Sequence, residues 1–127
     1  MVGKSHPYAK RRRPITLEDF NREVLVLLNT EFATRMQIDR HCRQLGAAPR
    51  IAIEVNSISA IVEIVRGGRL ATVLPAAIAR EQTGHFPVSL EFAAPERIAV
   101  LLQRKGAYRT AAARAFVALA LETDWDA

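Results

Sequence analysis

Three strand-length segments rich in branched apolar residues, Val24–Leu28, Ile51–Val55 and Leu70–Leu74, alternate with two segments of helical periodicity, and nothing else in the sequence constrains the fold as much. Val24–Leu28 is apolar throughout, the pattern of a strand covered on both faces. After it, Thr30 is placed to cap a helix running to about Leu45, with Gly46 as its stop and Pro49 beyond. Asn56-Ser57 opens a second helix in which Ile58, Ile61, Val62 and Val65 recur at i, i+3, i+4 and i+7, the spacing of one buried face. Gly67-Gly68 ends that helix, and Pro75 closes the third strand. Strand, helix, strand, helix, strand predicts an α/β fold with a parallel sheet and right-handed crossovers. Ligands of such sheets bind beyond the carboxyl ends of the strands, where loops turn into helices. The candidate site therefore falls at Asn29–Phe32 and Asn56–Ser59, loops whose short polar side chains and helix-start amides suit an anion or a carbonyl.

Thr16-Leu17-Glu18-Asp19 reads as the start of a short capped helix, Ala76–Glu81 as another helix, and Val88–Phe92 and Arg97–Leu102 as strands. On the helix that follows Thr30, Ile38, Cys42 and Leu45 form the sheet-facing stripe, continued by Thr34 and Arg35, while Phe32 and Met36 share a different side. A last helix opens at Thr110 and runs to about Glu122. Ala111-Ala112-Ala113 and Ala115–Leu121 make it apolar on nearly every side, broken by Arg114, so it needs cover from more than one direction.

The chain's basicity is local. Its 127 residues carry 18 Lys and Arg against 13 Asp and Glu, a net charge of +5, yet Lys4, Lys10, Arg11, Arg12 and Arg13 all precede the first acid. The remainder is neutral. Without interleaved aromatics or a helix-turn-helix pattern, Lys10–Arg13 reads as a solvated loop in preference to a phosphate-binding strip. Cys42 is the sole cysteine, which excludes an internal disulfide and suits a reducing compartment. No apolar run reaches the roughly 18–20 residues of a membrane span. The start has no apolar signal region, so a bacterial cytoplasmic location is expected. His41 and Cys42, adjacent on a helix, point about 100° apart and cannot act as a couple. His6, His41 and His85 have no metal-ligand spacing, and Ser57 lacks the glycines of a nucleophile elbow. No catalytic, metal or cofactor-binding residues are expected.

Several motifs occur in order along the chain: His6-Pro7-Tyr8-Ala9; Glu31-Phe32-Ala33-Thr34-Arg35 with Ile38-Asp39; Pro49-Arg50-Ile51; Glu54-Val55-Asn56-Ser57-Ile58-Ser59-Ala60-Ile61; Val65-Arg66-Gly67-Gly68; Ala71-Thr72-Val73-Leu74-Pro75; and Ala112-Ala113-Arg114-Ala115-Phe116. Together they resemble the C-terminal half of the effector-binding region of LysR-type transcriptional regulators. The Phe-Ala-Thr-Arg and Glu-x-Asn-Ser-Ile-Ser-Ala-Ile stretches look most like the subset containing the cyanate-operon regulator. Leu70 departs from the pattern, standing where the family has the second glycine of a Gly-x-Gly.

The resemblance implies a periplasmic-binding-protein-like (type II) fold, with a small inducer held between two subdomains. This chain resembles the second subdomain, about residues 14–95, with connecting strands at about 1–5 and 97–103. The helix at about 110–122 would then belong to the first subdomain, which accounts for its excess of apolar surface. Thr30, Phe32, Asn56 and Ser57 lie on positions that line the cleft in relatives. The winged helix-turn-helix, the linker helix and the core of the first subdomain have no counterpart, so DNA contact is expected only through a missing N-terminal domain. The resulting expectation is a non-enzymatic sensing module for a small anionic effector, working by ligand-dependent conformational change and self-associating into a homo-oligomer. The alternatives are a stand-alone small-anion binding module of the same fold and a small α/β enzyme.

Overall fold

A computed structural model describes residues 1–125, which fall into two compact units, Met1–Pro95 and a second beginning at Glu96. At the centre of the first unit is β2 (Val24–Leu28), whose last four residues are buried. It pairs in parallel with β3 (Arg50–Val55), Leu25 opposite Ile51 and Leu28 opposite Val55, with a bulge between Leu25 and Val26 where Ala52 has no opposite number. On its other side β2 takes Ala71. The Val26 amide donates to the Ala71 carbonyl at 2.9 Å, and the Ala71 amide donates to the Val24 carbonyl at 3.1 Å. Ala71 also bridges, antiparallel, to Val2 of β1 (Val2–Gly3), and β1 pairs antiparallel with β4 (His85–Phe86). The order across the sheet is thus β3, β2, the Ala71 segment, β1, β4.

Successive β2 side chains point to opposite faces, and both faces are covered. Leu25 and Leu27 pack with Ile38 of α2 (Ala33–Leu45) and Phe20 of α1 (Leu17–Asn21), while Val26 and Leu28 pack with Ile61 and Val65 of α3 (Ile58–Gly67). This is why Val24–Leu28 is apolar throughout. α1 has the expected capping box: the Asp19 amide donates to Thr16 Oγ1 at 3.1 Å, and the Thr16 amide donates to Asp19 Oδ2 at 3.2 Å. α2 ends at Gly46, whose φ of 66° is the left-handed conformation that glycine adopts without a Cβ penalty. α4 (Ala76–Arg80) lies where a short helix was expected.

The strands beyond β3 are shorter than their sequences suggest. Leu70–Leu74 contributes to the ladder mainly through Ala71, because neighbours on both sides meet it at that residue. Val88–Phe92 is reduced to one parallel bridge between Leu90 and Ile15. Arg97–Leu102, and with it the expected connecting segment 97–103, forms no strand among the described residues. Its alternation of apolar residues leaves Ile98 85%, Val100 68% and Leu102 89% exposed, and no neighbouring backbone satisfies its amides and carbonyls as a ladder would. The second unit consists of this segment and α5 (Ala111–Glu122), where Thr110 Oγ1 accepts from the Ala113 amide at 3.0 Å. Trp125 covers Ala120, its Nε1–H donating to the Ala120 carbonyl at 2.9 Å, while Phe116, Leu119 and Leu121 stay exposed.

Candidate functional site

Because Leu28 and Val55 are paired in register, the residues that follow them, Asn29 and Asn56, leave the sheet side by side at one rim. The Asn29 amide donates to the Val55 carbonyl at 2.8 Å and extends the ladder by one step. From there the two loops diverge, since α2 covers one face of the sheet and α3 the other. In open parallel sheets ligands bind where loops from adjacent strand ends part in this way.

The first loop is built by Asn29. Its Oδ1 accepts from the Glu31 amide at 3.1 Å, and its carbonyl accepts from the Phe32 amide at 3.3 Å, so the chain turns before the helix begins. This corrects the expectation that Thr30 caps α2. The helix starts at Ala33, its N-cap position is Phe32 with no side-chain cap bond, and Thr30 lies exposed in the turn. Helix-start amides have no intrahelical acceptor, so this thirteen-residue helix presents uncapped donors at the rim. Phe32 is half-buried and packs against the cluster of Val26, Leu28, Ile61 and Val65. Met36, one turn on, is 59% exposed.

The second loop follows its sequence reading more closely. Ser57 is the N-cap of α3, its Oγ accepting from the Ala60 amide at 3.4 Å, and Asn56 is exposed beside it. Thr30 and Asn56-Ser57 therefore follow paired strand ends at one edge of the sheet, while Phe32 packs into the cluster on the α3 face. Two cavities lie elsewhere. One of about 370 Å³ is bordered by Arg11, Arg13, Thr16, Asp19 and Glu91, and one of about 230 Å³ by Ile38, Cys42, Ala47 and Pro49.

Sequence reasoning gave Arg35 no role beyond its place on the buried stripe. It is 5% exposed, and its guanidinium reaches three partners: the Leu28 carbonyl at 2.8 Å, Glu54 Oε2 at 3.0 Å and Asp39 Oδ1 at 2.9 Å. Burial opposes its charge, but the hydrogen bonds and charges of Asp39 and Glu54 outweigh that penalty and hold its pKa above the ordinary arginine value. A charged residue on an apolar stripe, four residues before an aspartate, was the available signal.

The remaining reactive side chains are structurally engaged. Cys42 packs against the cluster of Phe20, Leu25, Leu27 and Ile38, and burial first, then Asp39, pushes its thiol pKa up, away from nucleophilic use. His41 Nε2 lies 2.6 Å from the Ala93 carbonyl. Buried His6 accepts the Tyr8 amide at Nδ1 (3.1 Å), which leaves Nε2–H to donate to Glu23 at 2.9 Å. Arg11 pairs with Asp19 at 3.0 Å and stacks over Tyr8, whereas Arg12 and Arg13 are exposed. Among the described residues no three His, Cys, Asp or Glu side chains converge as a metal site would require. Among the described residues no helix is long and apolar enough to cross a membrane.

The model of the LysR substrate binding domain family matches residues 1–125. The chain belongs to that family. The LysR substrate-binding domain has a periplasmic-binding-protein-like (type II) fold, and the parallel β2–β3 pair with helices on both faces is consistent with it. The chain is also similar to the transcriptional dual regulator GltC of Bacillus subtilis (strain 168), with 30% identity over 96 residues. That match covers 76% of this chain and 32% of the relative, so this LysR-type domain spans about a third of the regulator it matches.

Proposed function

We propose that this LysR substrate-binding domain is the effector-sensing module of a transcriptional regulator and holds a small anion at the rim formed by Thr30, Phe32, Asn56 and Ser57. The observation that carries the reading is the in-register pairing of Leu28 with Val55, which brings two helix-start loops to one edge of the sheet. Uncapped amides at α2, together with the hydroxyls of Thr30 and Ser57 and the amide of Asn56, supply donors suited to negative charge. A bound anion acts by differing in affinity for two arrangements of a longer regulator and shifting their populations, without covalent chemistry.

In this proposal the residues about 14–95 are the second subdomain, 1–5 and 97–103 connect it to the first, and α5 packs on the first subdomain, which covers Phe116, Leu119 and Leu121. DNA is engaged by a separate N-terminal domain, the regulator works as a homo-oligomer, and the setting is the cytoplasm, where the operator is. The test is calorimetric titration of the full chain with acetate, succinate and, given the resemblance to the cyanate-operon subset, cyanate. Saturable binding of one of these, weakened about tenfold by Thr30→Ala or Ser57→Ala, is the expected result. No saturable heat with any of the three, or affinities untouched by both substitutions, overturns the reading.

A further inference from the structure

We propose that Arg35 is the positioning residue of this rim, holding the turn after β2 and the turn after β3 in one fixed arrangement; the role in effector binding rests on the sensing function proposed above. Its partners carry the inference. Leu28, whose carbonyl accepts from Nη1 at 2.8 Å, is the last residue of β2 and immediately precedes Asn29. Glu54, which accepts from the same Nη1 at 3.0 Å, is next to last in β3 and two residues before Asn56. Asp39, one turn along α2, accepts from Nε at 2.9 Å and fixes the direction in which the guanidinium points. One buried cation thus touches α2, β2 and β3 at the end from which both loops depart.

The ladder explains why such a clamp is needed. β2 and β3 shift register between Leu25 and Val26, so the carboxyl halves of the two strands are separated by a bulge from the regular pairing before it. The pairs that set the spacing of the two turns, Leu27 with Glu54 and Leu28 with Val55, lie beyond that bulge. Arg35 crosses this stretch. Sites built from two loops lose function when their supporting contacts let the loops drift by about 1 Å, even where the fold survives. A lysine cannot replace the clamp, since one ammonium does not reproduce the planar fork that serves three acceptors in different directions.

The test is hydrogen–deuterium exchange on the full chain, wild type against Arg35→Lys and Glu54→Ala, with the amides of Leu25–Leu27 as the internal reference. Arg35→Lys is expected to speed exchange at residues 29–33 and 56–60 by about tenfold relative to the reference. Glu54→Ala is expected to loosen residues 56–60 selectively; its side chain is 48% exposed, so the fold tolerates its loss and the test stands even if Arg35→Lys does not fold. Wild-type rates at both turns in the variants that fold, or an equal acceleration of turns and reference, overturn the positioning role. Wild-type titration with acetate, succinate and cyanate keeps the two ideas apart: absence of saturable binding defeats the sensing function even where both turns loosen, and unchanged exchange defeats Arg35's role even where an anion binds.

Discussion

Replacing Gly3 with alanine tests the tightest surroundings of any glycine in the chain. A Cβ added at Gly3 would overlap the Val65 carbonyl oxygen and sit 3.1 Å from the Arg66 carbonyl oxygen and 3.2 Å from the Val65 carbonyl carbon. All three are helix backbone atoms, which cannot rotate aside as a side chain would. To restore ordinary contact distances β1 must retreat from α3 by about 1 Å. It is not free to do so. Val2 is 1% exposed and packs with Leu25, Leu27 and Ala71, Val2 and Gly3 pair with Phe86 and His85, and the Thr72 amide donates to the Met1 carbonyl at 3.0 Å. His85 in turn has Nε2 2.9 Å from the Val62 carbonyl, tying β4 to the same helix. Overpacking costs about 1–3 kcal/mol, and each backbone hydrogen bond lost in the retreat adds about 1 kcal/mol. We expect a loss of about 3 kcal/mol, a large share of the roughly 5–15 kcal/mol that holds a domain folded. Urea unfolding followed by far-ultraviolet circular dichroism should show a midpoint lowered by about 2 M. Gly67→Ala is the control: nothing lies within 4 Å of an added Cβ there, and alanine in the last turn of α3 should be neutral or stabilising by up to about 1 kcal/mol. A Gly3→Ala midpoint indistinguishable from that of Gly67→Ala would refute the claim that β1 and α3 are in fixed backbone contact.

Thr72 is 2% exposed and its Oγ1 is buried without a hydrogen-bond partner, so Thr72→Val, which keeps the shape and removes the stranded hydroxyl, should stabilise the fold by about 1 kcal/mol and raise the Tm by about 4 °C. A lowered Tm in differential scanning calorimetry would show that the hydroxyl has a bonding role. Asp19 has its pKa held below the ordinary 3.8 by the Thr16 amide first and then by Arg11, partly offset by burial, so its contribution to stability is complete above 3.8 and disappears as the pH falls through the lowered folded value. Asp19→Asn should therefore be less stable than wild type near neutral pH, with the difference in unfolding midpoint closing on acidification; a difference that persists at the acid end would contradict the linkage.

The elements legible in the sequence are those whose formation is decided locally or by burial of one continuous face. β2 shows in an unbroken apolar run because both of its faces are covered, and α3 in the spacing of Ile61, Val62 and Val65, all buried. α1 and α5 show in the threonines that cap them. The misjudged strands depend instead on a partner far away in sequence. Leu70–Leu74 and Val88–Phe92 have the composition of strands, but their ladders are set by what stands beside them, and that reduces each to a single bridging residue, Ala71 or Leu90. Arg97–Leu102 has strand composition and no partner in its unit, and composition alone does not form hydrogen bonds.

The same division runs through the candidate site. Topology placed its two loops at one rim, because in a parallel pair every strand end faces the same way regardless of side chains. What topology could not supply was the inner geometry of the first loop, where Asn29 competes with Thr30 for the turn and wins because its short carboxamide reaches the amide two residues on. That displacement matters chemically. With Asn29 building the turn, no side chain caps α2, whereas Ser57 already spends its acceptor on the Ala60 amide of α3. The two helix starts are therefore unequal: at α2 no start amide is taken by a side chain, and the Thr30 hydroxyl stands beside them, whereas at α3 the Ala60 amide is already bonded to Ser57. An anion at the proposed rim should lie nearer α2 than α3, and Thr30→Ala should weaken its binding more than Ser57→Ala.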